Sequence, residues 1–498
     1  MEEIIEPGAI LTADARGVEV TCRRGAAVLV DGGVIVDVDD APSLERRHPS
    51  ATVKRRGNSL LMPGFVNGHH HIGVTPVQLG TRDSPLETWV SLRSVPVPVD
   101  LALDTTYSAS QMIRSGVTSV QHLQEPQPTD AADPSESART VLDTYGRIGM
   151  RASFGKLVRD QNYLVHGQDS DLIRDIPSSD HSRFRDLLAT LRVPVSDQLQ
   201  AFTDLRAAYA DHPRLSLQLA PANLHWVSDE ALEDFGVVSD ATGAAVHMHL
   251  LESVYQSKYM DRRAGADRVR HLTKSGLLTK RLTLGHGTWM QPADIEALAE
   301  ADASVCNNCS SNFRLASGRL PLIDLLAADV NVAIGIDEAG INDDHDMLQE
   351  MRLIFAVNRE PGLTNRQVSA EQVFRMATSG GARSSGYGDG HGTITPGAPA
   401  DLLLLDENEL RSPFQLEGIP EVELVVQRAR PQHITDVMVA GEWLMADSEL
   451  TTIDESAMVE ELAAACAAVD LESHRASKAF AENLTHAVRK WFVSEYGV

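Results

Sequence analysis

Between residues 62 and 392, apolar runs of four to seven residues alternate with longer stretches of helical period. The runs include Gly116-Val117-Thr118-Ser119-Val120, Gly149–Gly155, Leu215-Ser216-Leu217-Gln218-Leu219, Ala244-Ala245-Val246-His247-Met248-His249, Leu282-Thr283-Leu284-Gly285-His286, Ala303-Ser304-Val305-Cys306 and Val332-Ala333-Ile334-Gly335-Ile336-Asp337. Strands buried on both faces read as continuous apolar segments, and their alternation with helices is the mark of βαβ units around a parallel sheet. With the strand that begins at Pro63, roughly eight runs are present. That number predicts a closed barrel whose working face lies at the C-terminal ends of its strands.

The period shortens to two outside this region. Ala26-Ala27-Val28-Leu29-Val30 and Gly33-Val34-Ile35-Val36-Asp37-Val38 flank an Asp31-Gly32-Gly33 turn, and Ala400–Leu405 and Ile434–Trp443 repeat the pattern near the other end. The two ends are therefore expected to pair into one β domain, with 1–61 and 393–450 on either side of the barrel at 62–392. Residues 451–498 are Ala/Glu-rich, with apolar positions Met458, Leu462, Leu484, Val488 and Trp491, and read as a helical extension packed on the outside.

At 498 residues and 43% apolar content the chain can bury a large core. Its 44 basic residues against 70 acidic ones, a net charge of −26, argue against nucleic acid as a partner. No basic n-region precedes an apolar h-region and no run of about 18 apolar residues occurs, so neither secretion nor membrane spanning is supported. A cytoplasmic protein is expected. Cys22, Cys306, Cys309 and Cys466 are too few for a disulfide framework, and Cys306-x-x-Cys309 lacks the second pair a zinc ribbon needs.

The candidate chemistry collects where strands end. His69 and His71, in Pro63-Gly64-Phe65-Val66-Asn67-Gly68-His69-His70-His71, leave one strand on the same side because side chains alternate with period two. His249 and Glu252 follow the fifth strand, His286 the sixth and Asp337 the eighth, so a barrel brings all six to one mouth. Three neutral imidazoles and a carboxylate suit zinc or a similar divalent ion with a position left open for water. Glu252, three residues past His249, is placed to act as general acid/base. His286 could bond the attacking hydroxide or polarise the group attacked, and Asp337 could ligate the ion and accept the water's proton; spacing does not separate these roles.

These residues, together with His249-Leu250-Leu251-Glu252, Gly285-His286-Gly287, Ser311–Gly318, Gly335-Ile336-Asp337, Gly381-Ala382-Arg383 and Pro396–Leu402, resemble the amidohydrolase superfamily. The resemblance is to its branch of cytosine deaminases, S-adenosylhomocysteine deaminases and chlorotriazine hydrolases, and runs from about residue 9 to 450. It implies an α/β fold, a distorted (β/α)8 TIM-like barrel with a composite β-sandwich built from both chain ends. It further implies His69, His71, His249 and Asp337 as metal ligands, Glu252 as proton shuttle and His286 as the residue that orients the water. Binuclear members carry a carboxylated lysine after the fourth strand, whereas no lysine occurs here between Lys156 and Lys258, which favours one ion, zinc or iron.

Two departures bear on the substrate. A substrate-binding histidine usually follows the Ala-Pro of the fourth strand; this chain has Ala222 there, with Asn223 and His225 just after. The loop Ile341–Met347 is acidic and Glu338 directly follows Asp337, which suits a cationic substrate such as an amidine, guanidine or protonated amine. Arg82, Trp89 and Asn312 join Asn223 and His225 as candidate substrate contacts. The expected activity is hydrolytic deamination of a small N-heterocycle or amidine-like compound by a homodimer. The alternatives are an amide or urea hydrolase, a chlorotriazine-type dehalogenase, or a non-catalytic metal-binding scaffold.

Overall fold

The computed structural model describes residues 2–14, 19–71, 73–95, 97, 99–363, 366–388 and 390–497. Among them, eight parallel strands succeed one another around a barrel. Phe65–His70 pairs with Val117–Gln124, which pairs with Arg151–Val158, which in turn pairs with the split fourth strand Leu215–Leu217 and Ala220–Pro221. Val246–Leu250, Leu282–His286, Ser304–Asn307 and Asn331–Ile334 pair in that order. Single bridges close the ring: Leu219 to Val246, Asn223 to His249, and His70 to Asp337. Every residue of the second strand is buried, as the unbroken apolar runs anticipate for a sheet covered on both faces.

The intervening helices begin at short polar side chains that satisfy the first free N–H groups. Ser228 caps Asp229–Thr242, Ser253 caps Val254–Ala264 and Asp346 caps Met347–Val357. The cap Ser253 thus starts a helix one residue after Glu252 and fixes where that carboxylate leaves the barrel rim.

The two chain ends meet in one nine-stranded sheet among the described residues. Thr52–Pro63 pairs in parallel with Glu3–Ala13 on one side and antiparallel with Leu402–Asp406 on the other. The sheet folds back so that Val34 bridges Pro399, enclosing Ile5, Val28, Ile35, Leu61, Leu402, Leu404 and Met438. Arg151, at the start of the third barrel strand, locks this sheet to the barrel through Asp401, with Nε and Nη2 at 2.7 and 3.1 Å from its two carboxylate oxygens, both residues being buried.

The last helix, Leu471–Tyr496, lies at the mouth end of the barrel rather than along its flank. It packs on the short helix Leu86–Leu92 of the first βα loop and buries Phe480, Leu484, Val488 and Phe492 against Tyr163, Leu164, Phe184 and Leu188. Polar ties reinforce the seam: Ser91 Oγ and Thr485 Oγ1 are 2.8 Å apart, and Tyr496 Oη is 2.8 Å from His166 Nδ1. No described helix is long and apolar enough to cross a membrane.

Candidate metal centre and active site

His69, His71 and His249 point their Nε2 atoms at one another, 3.0 Å apart for His69 and His71 and 3.2 Å for His71 and His249. Their outer nitrogens decide the tautomers. His71 Nδ1 is 2.6 Å from the Leu123 carbonyl and His249 Nδ1 is 2.9 Å from that of Ala222. A carbonyl only accepts, so both Nδ1 atoms donate and both Nε2 atoms are bare lone pairs. For His69 the tie is longer: Gln121 Oε1 accepts from His247 Nδ1 at 2.6 Å, and His247 Nε2 accepts from His69 Nδ1 at 2.9 Å. His69 Nε2 is therefore bare as well.

Three lone pairs at such distances repel unless a cation lies among them. Tetrahedral zinc with Zn–N bonds of 2.0–2.1 Å separates its ligand atoms by about 3.4 Å, close to the spacing found. Asp337 Oδ1 extends the set, 3.3 Å from His71 Nε2 and 3.7 Å from His69 Nε2. Among the described residues two groups could hold a metal ion, His69 with His71 and His249, and His69 with His286 and Asp337. Burial pushes the His69 and His249 imidazoles well below their usual range, which keeps them neutral and ligand-competent. The site's residues thus fit a divalent metal.

Local backbone puts these groups in place. Leu251, His286 and Asp337 adopt left-handed φ values of 53°, 71° and 64°, uncommon for residues with a Cβ and a recognised mark of functional sites. Each turns the chain sharply at a strand end, so that Glu252, His286 and Asp337 face the mouth. Gly285 and Gly335 give the His69 ring its room: a Cβ on the first would meet His69 Cε1 at 2.9 Å, and on the second His69 Cβ at 2.5 Å.

Glu252 is buried, with Oε1 3.6 Å from His286 Nδ1. Burial raises its carboxyl above the ordinary range, the Asp337 charge adds to this, and His286 opposes it. His286 Nδ1 is 2.9 Å from Asn312 Oδ1, and its Nε2 accepts from Asn308 Nδ2 at 3.2 Å and lies 3.6 Å from Asp337 Oδ2. The ring is thus held by Asn312 and Asn308 with its Nε2 edge toward Asp337.

These groups form one wall of a cavity of about 220 Å³. Leu86, Trp89, Leu164, Leu191, Trp226 and Leu315 supply much of its apolar lining. Two arginine–carboxylate pairs stand among them. Arg159 stacks 3.9 Å from the Trp226 ring and donates to Glu125 Oε1 at 2.6 Å; Arg93 lies 4.8 Å from the Trp89 ring and pairs with Glu338 Oε1.

Of the candidate substrate contacts, Trp89 lines the cavity, but the others lie elsewhere. Arg82 is exposed and does not line it. Asn223 donates to Gln256 Oε1 at 3.1 Å, the atom that also accepts the Glu252 N–H at 2.8 Å, so it braces the turn that carries the shuttle candidate. His225 is packed behind the wall against His166 and Trp226, and Asn312 is taken up by His286. The reason is common to the three: a polar group just past a strand can turn back into the barrel shell, and sequence does not record which way it turns. Sequence reading missed Glu125, Arg159 and Arg93, and the supporting pair His247 and Gln121. A usable signal existed for two sets: Glu125 and Arg159 directly follow the second and third strands, and His247 shares the inward face of its strand with His249.

A closed barrel carrying this cluster at its mouth defines a metal-dependent hydrolase. The chain belongs to the amidohydrolase family, whose model matches residues 60–444. It is 29% identical over 468 residues to a 5'-deoxyadenosine deaminase of Methanothermobacter thermautotrophicus, covering 91% of this chain and 96% of that one. It is likewise 29% identical to a 5-methylthioadenosine/S-adenosylhomocysteine deaminase of Haloarcula marismortui, covering 92% and 96%. Among solved structures, a zinc-bound adenosine deaminase from Xanthomonas campestris superposes with a TM-score of 0.76 at 27% identity, over 93% of this chain and 98% of that one. Zinc-bound atrazine chlorohydrolase from Arthrobacter aurescens reaches 0.79 at 19% identity over 93% and 99%, a likeness of fold.

Proposed function

We propose that the protein is an aminohydrolase that releases ammonia from a small amino-substituted N-heterocycle or amidine-like compound, with one zinc ion held by His69, His71, His249 and Asp337. When bound, such an ion lowers the pKa of a coordinated water to about 7 and so makes a nucleophile available near neutral pH. His286 Nε2 faces the Asp337 carboxylate and orients the attacking water by hydrogen bonding. Glu252, whose carboxyl burial raises above the ordinary carboxylate range, takes the proton of the attacking water and gives it to the departing nitrogen. The apolar walls with Trp89 and Trp226 suit a flat ring and exclude bulk water.

The observation that carries this reading is the buried Glu252 carboxyl beside His286. Loss of an amine from an sp² carbon needs a proton donor, whereas a purely structural metal site does not. The deaminase names of the relatives point the same way. The four free cysteines fit a reducing, cytoplasmic setting.

The test is a screen of the full-length, zinc-loaded protein for ammonia release from aminated purines, pyrimidines and triazines and from guanidines and amidines, with metal content measured on the same sample. Ammonia released in step with substrate loss is the expected result. Release of halide or of a substituted amine in place of ammonia overturns it.

A further inference from the structure

Glu338 follows Asp337 directly, lines the substrate cavity and is buried. Its two carboxylate oxygens are used unequally. Oε1 is paired with the Arg93 guanidinium, while Oε2, shielded from solvent, has no hydrogen-bond partner among the described residues. A buried carboxylate oxygen left without a donor carries a desolvation cost that proteins ordinarily avoid, and at a binding site the missing donor is commonly the ligand's. Arg93 is itself restrained over the Trp89 ring, 4.8 Å from its centroid, and Trp89 lines the same cavity. The carboxylate is thus held from one side with its other oxygen open.

The location sets the chemistry of the missing donor. Asp337, one residue away, belongs to the metal cluster, and the cavity wall continues from Glu338 to His71, His249 and Glu252. A substrate whose reacting carbon is presented to the cluster therefore brings the atoms bonded to that carbon within reach of the neighbouring residue. An amidine or guanidine carbon carries two or three nitrogens that can bear N–H: one nitrogen leaves, and another remains to donate.

We propose that Glu338 is a specificity-determining residue of this site and that its Oε2 accepts an N–H from a cationic amidine- or guanidine-type edge of the substrate. This rests on the aminohydrolase reading and narrows its substrate class to compounds that keep a donor nitrogen beside the one removed. A neutral amide edge, with oxygen in the second position, presents an acceptor to an acceptor and is discriminated against.

Benzamidine and benzamide differ in that one group and serve as probes, titrated by calorimetry into the full-length zinc-loaded protein. The wild type is expected to bind benzamidine at least tenfold more tightly than benzamide. Glu338→Gln preserves volume and an acceptor for Arg93, and is expected to bring the ratio to within about threefold of unity with zinc content unchanged. A wild-type ratio already near unity, as when an ordered water satisfies Oε2, overturns the proposal. So does a ratio that Glu338→Gln leaves intact. Because binding alone is read, a protein that binds as expected yet releases no ammonia refutes the aminohydrolase reading without touching this one, and the converse result separates them equally.

Discussion

Single side chains in this molecule are set by what lies behind them as much as by what they face. His249 keeps its Nε2 free because Ala222 holds its Nδ1, and the Glu252 carboxyl sits above its ordinary range because burial penalises the anion. His249→Ala is accordingly expected to lose bound metal by elemental analysis, while Glu252→Gln retains it and loses turnover by about 10²–10⁴-fold, the usual contribution of a positioned acid/base. A second buried carboxylate gives a pH signature. Glu350 is pushed by burial from an ordinary 4.5 to about 7, although Ser310 N–H, 2.8 Å from its Oε1, pulls it down. The folded chain then holds a proton that the unfolded chain has released between these values. Its contribution to stability is complete below about pH 4.5 and is lost as pH rises through about 7, a few kcal/mol at most. Thermal midpoints measured from pH 4.5 to 7.5 should decline less in Glu350→Gln than in the wild type.

At the scale of elements, strands proved far easier to read than walls. The apolar runs that predict the barrel coincide with its strands to within a few residues, because a strand buried on both faces has little freedom in composition. The imidazoles and carboxylates at strand ends were legible for the same reason: a fixed fold sends them to one place. Arg93 was not, since a loop residue is directed by the loop's neighbours, and those neighbours come from a distant segment. The helix Leu471–Tyr496 supplies that support. Leu484 is fully buried in its seam, and Leu484→Ala is expected to cost about 2–5 kcal/mol locally. Because the same seam holds Tyr163 and Leu164, which line the cavity, the variant should raise KM for the substrate while metal content stays constant. An unchanged KM would mean that the walls stand without the helix.

Taken whole, the molecule is a barrel with its chemistry at one end and its inter-domain clasp at the other. Arg151 and Asp401 form that clasp, and Asp401 Oδ1 also accepts the Ala440 N–H at 2.8 Å. Removing one partner leaves a buried charge uncompensated, so Arg151→Leu is expected to destabilise the protein by about 3–5 kcal/mol. The kcat of the folded fraction should not change, since the pair opens the third strand whereas the chemistry lies where strands end; calorimetry and kinetics on the same preparation check both halves. The shared sheet has a further consequence for how the protein is made. Strand Thr52–Pro63 borders Leu402–Asp406 directly, yet some 340 residues separate them in the order of synthesis. At about 5–20 residues per second, a ribosome leaves that strand's apolar edge unpaired for on the order of tens of seconds. During that interval the nascent chain carries an open strand margin, the state in which a chaperone has most to offer and a neighbouring polypeptide most to damage.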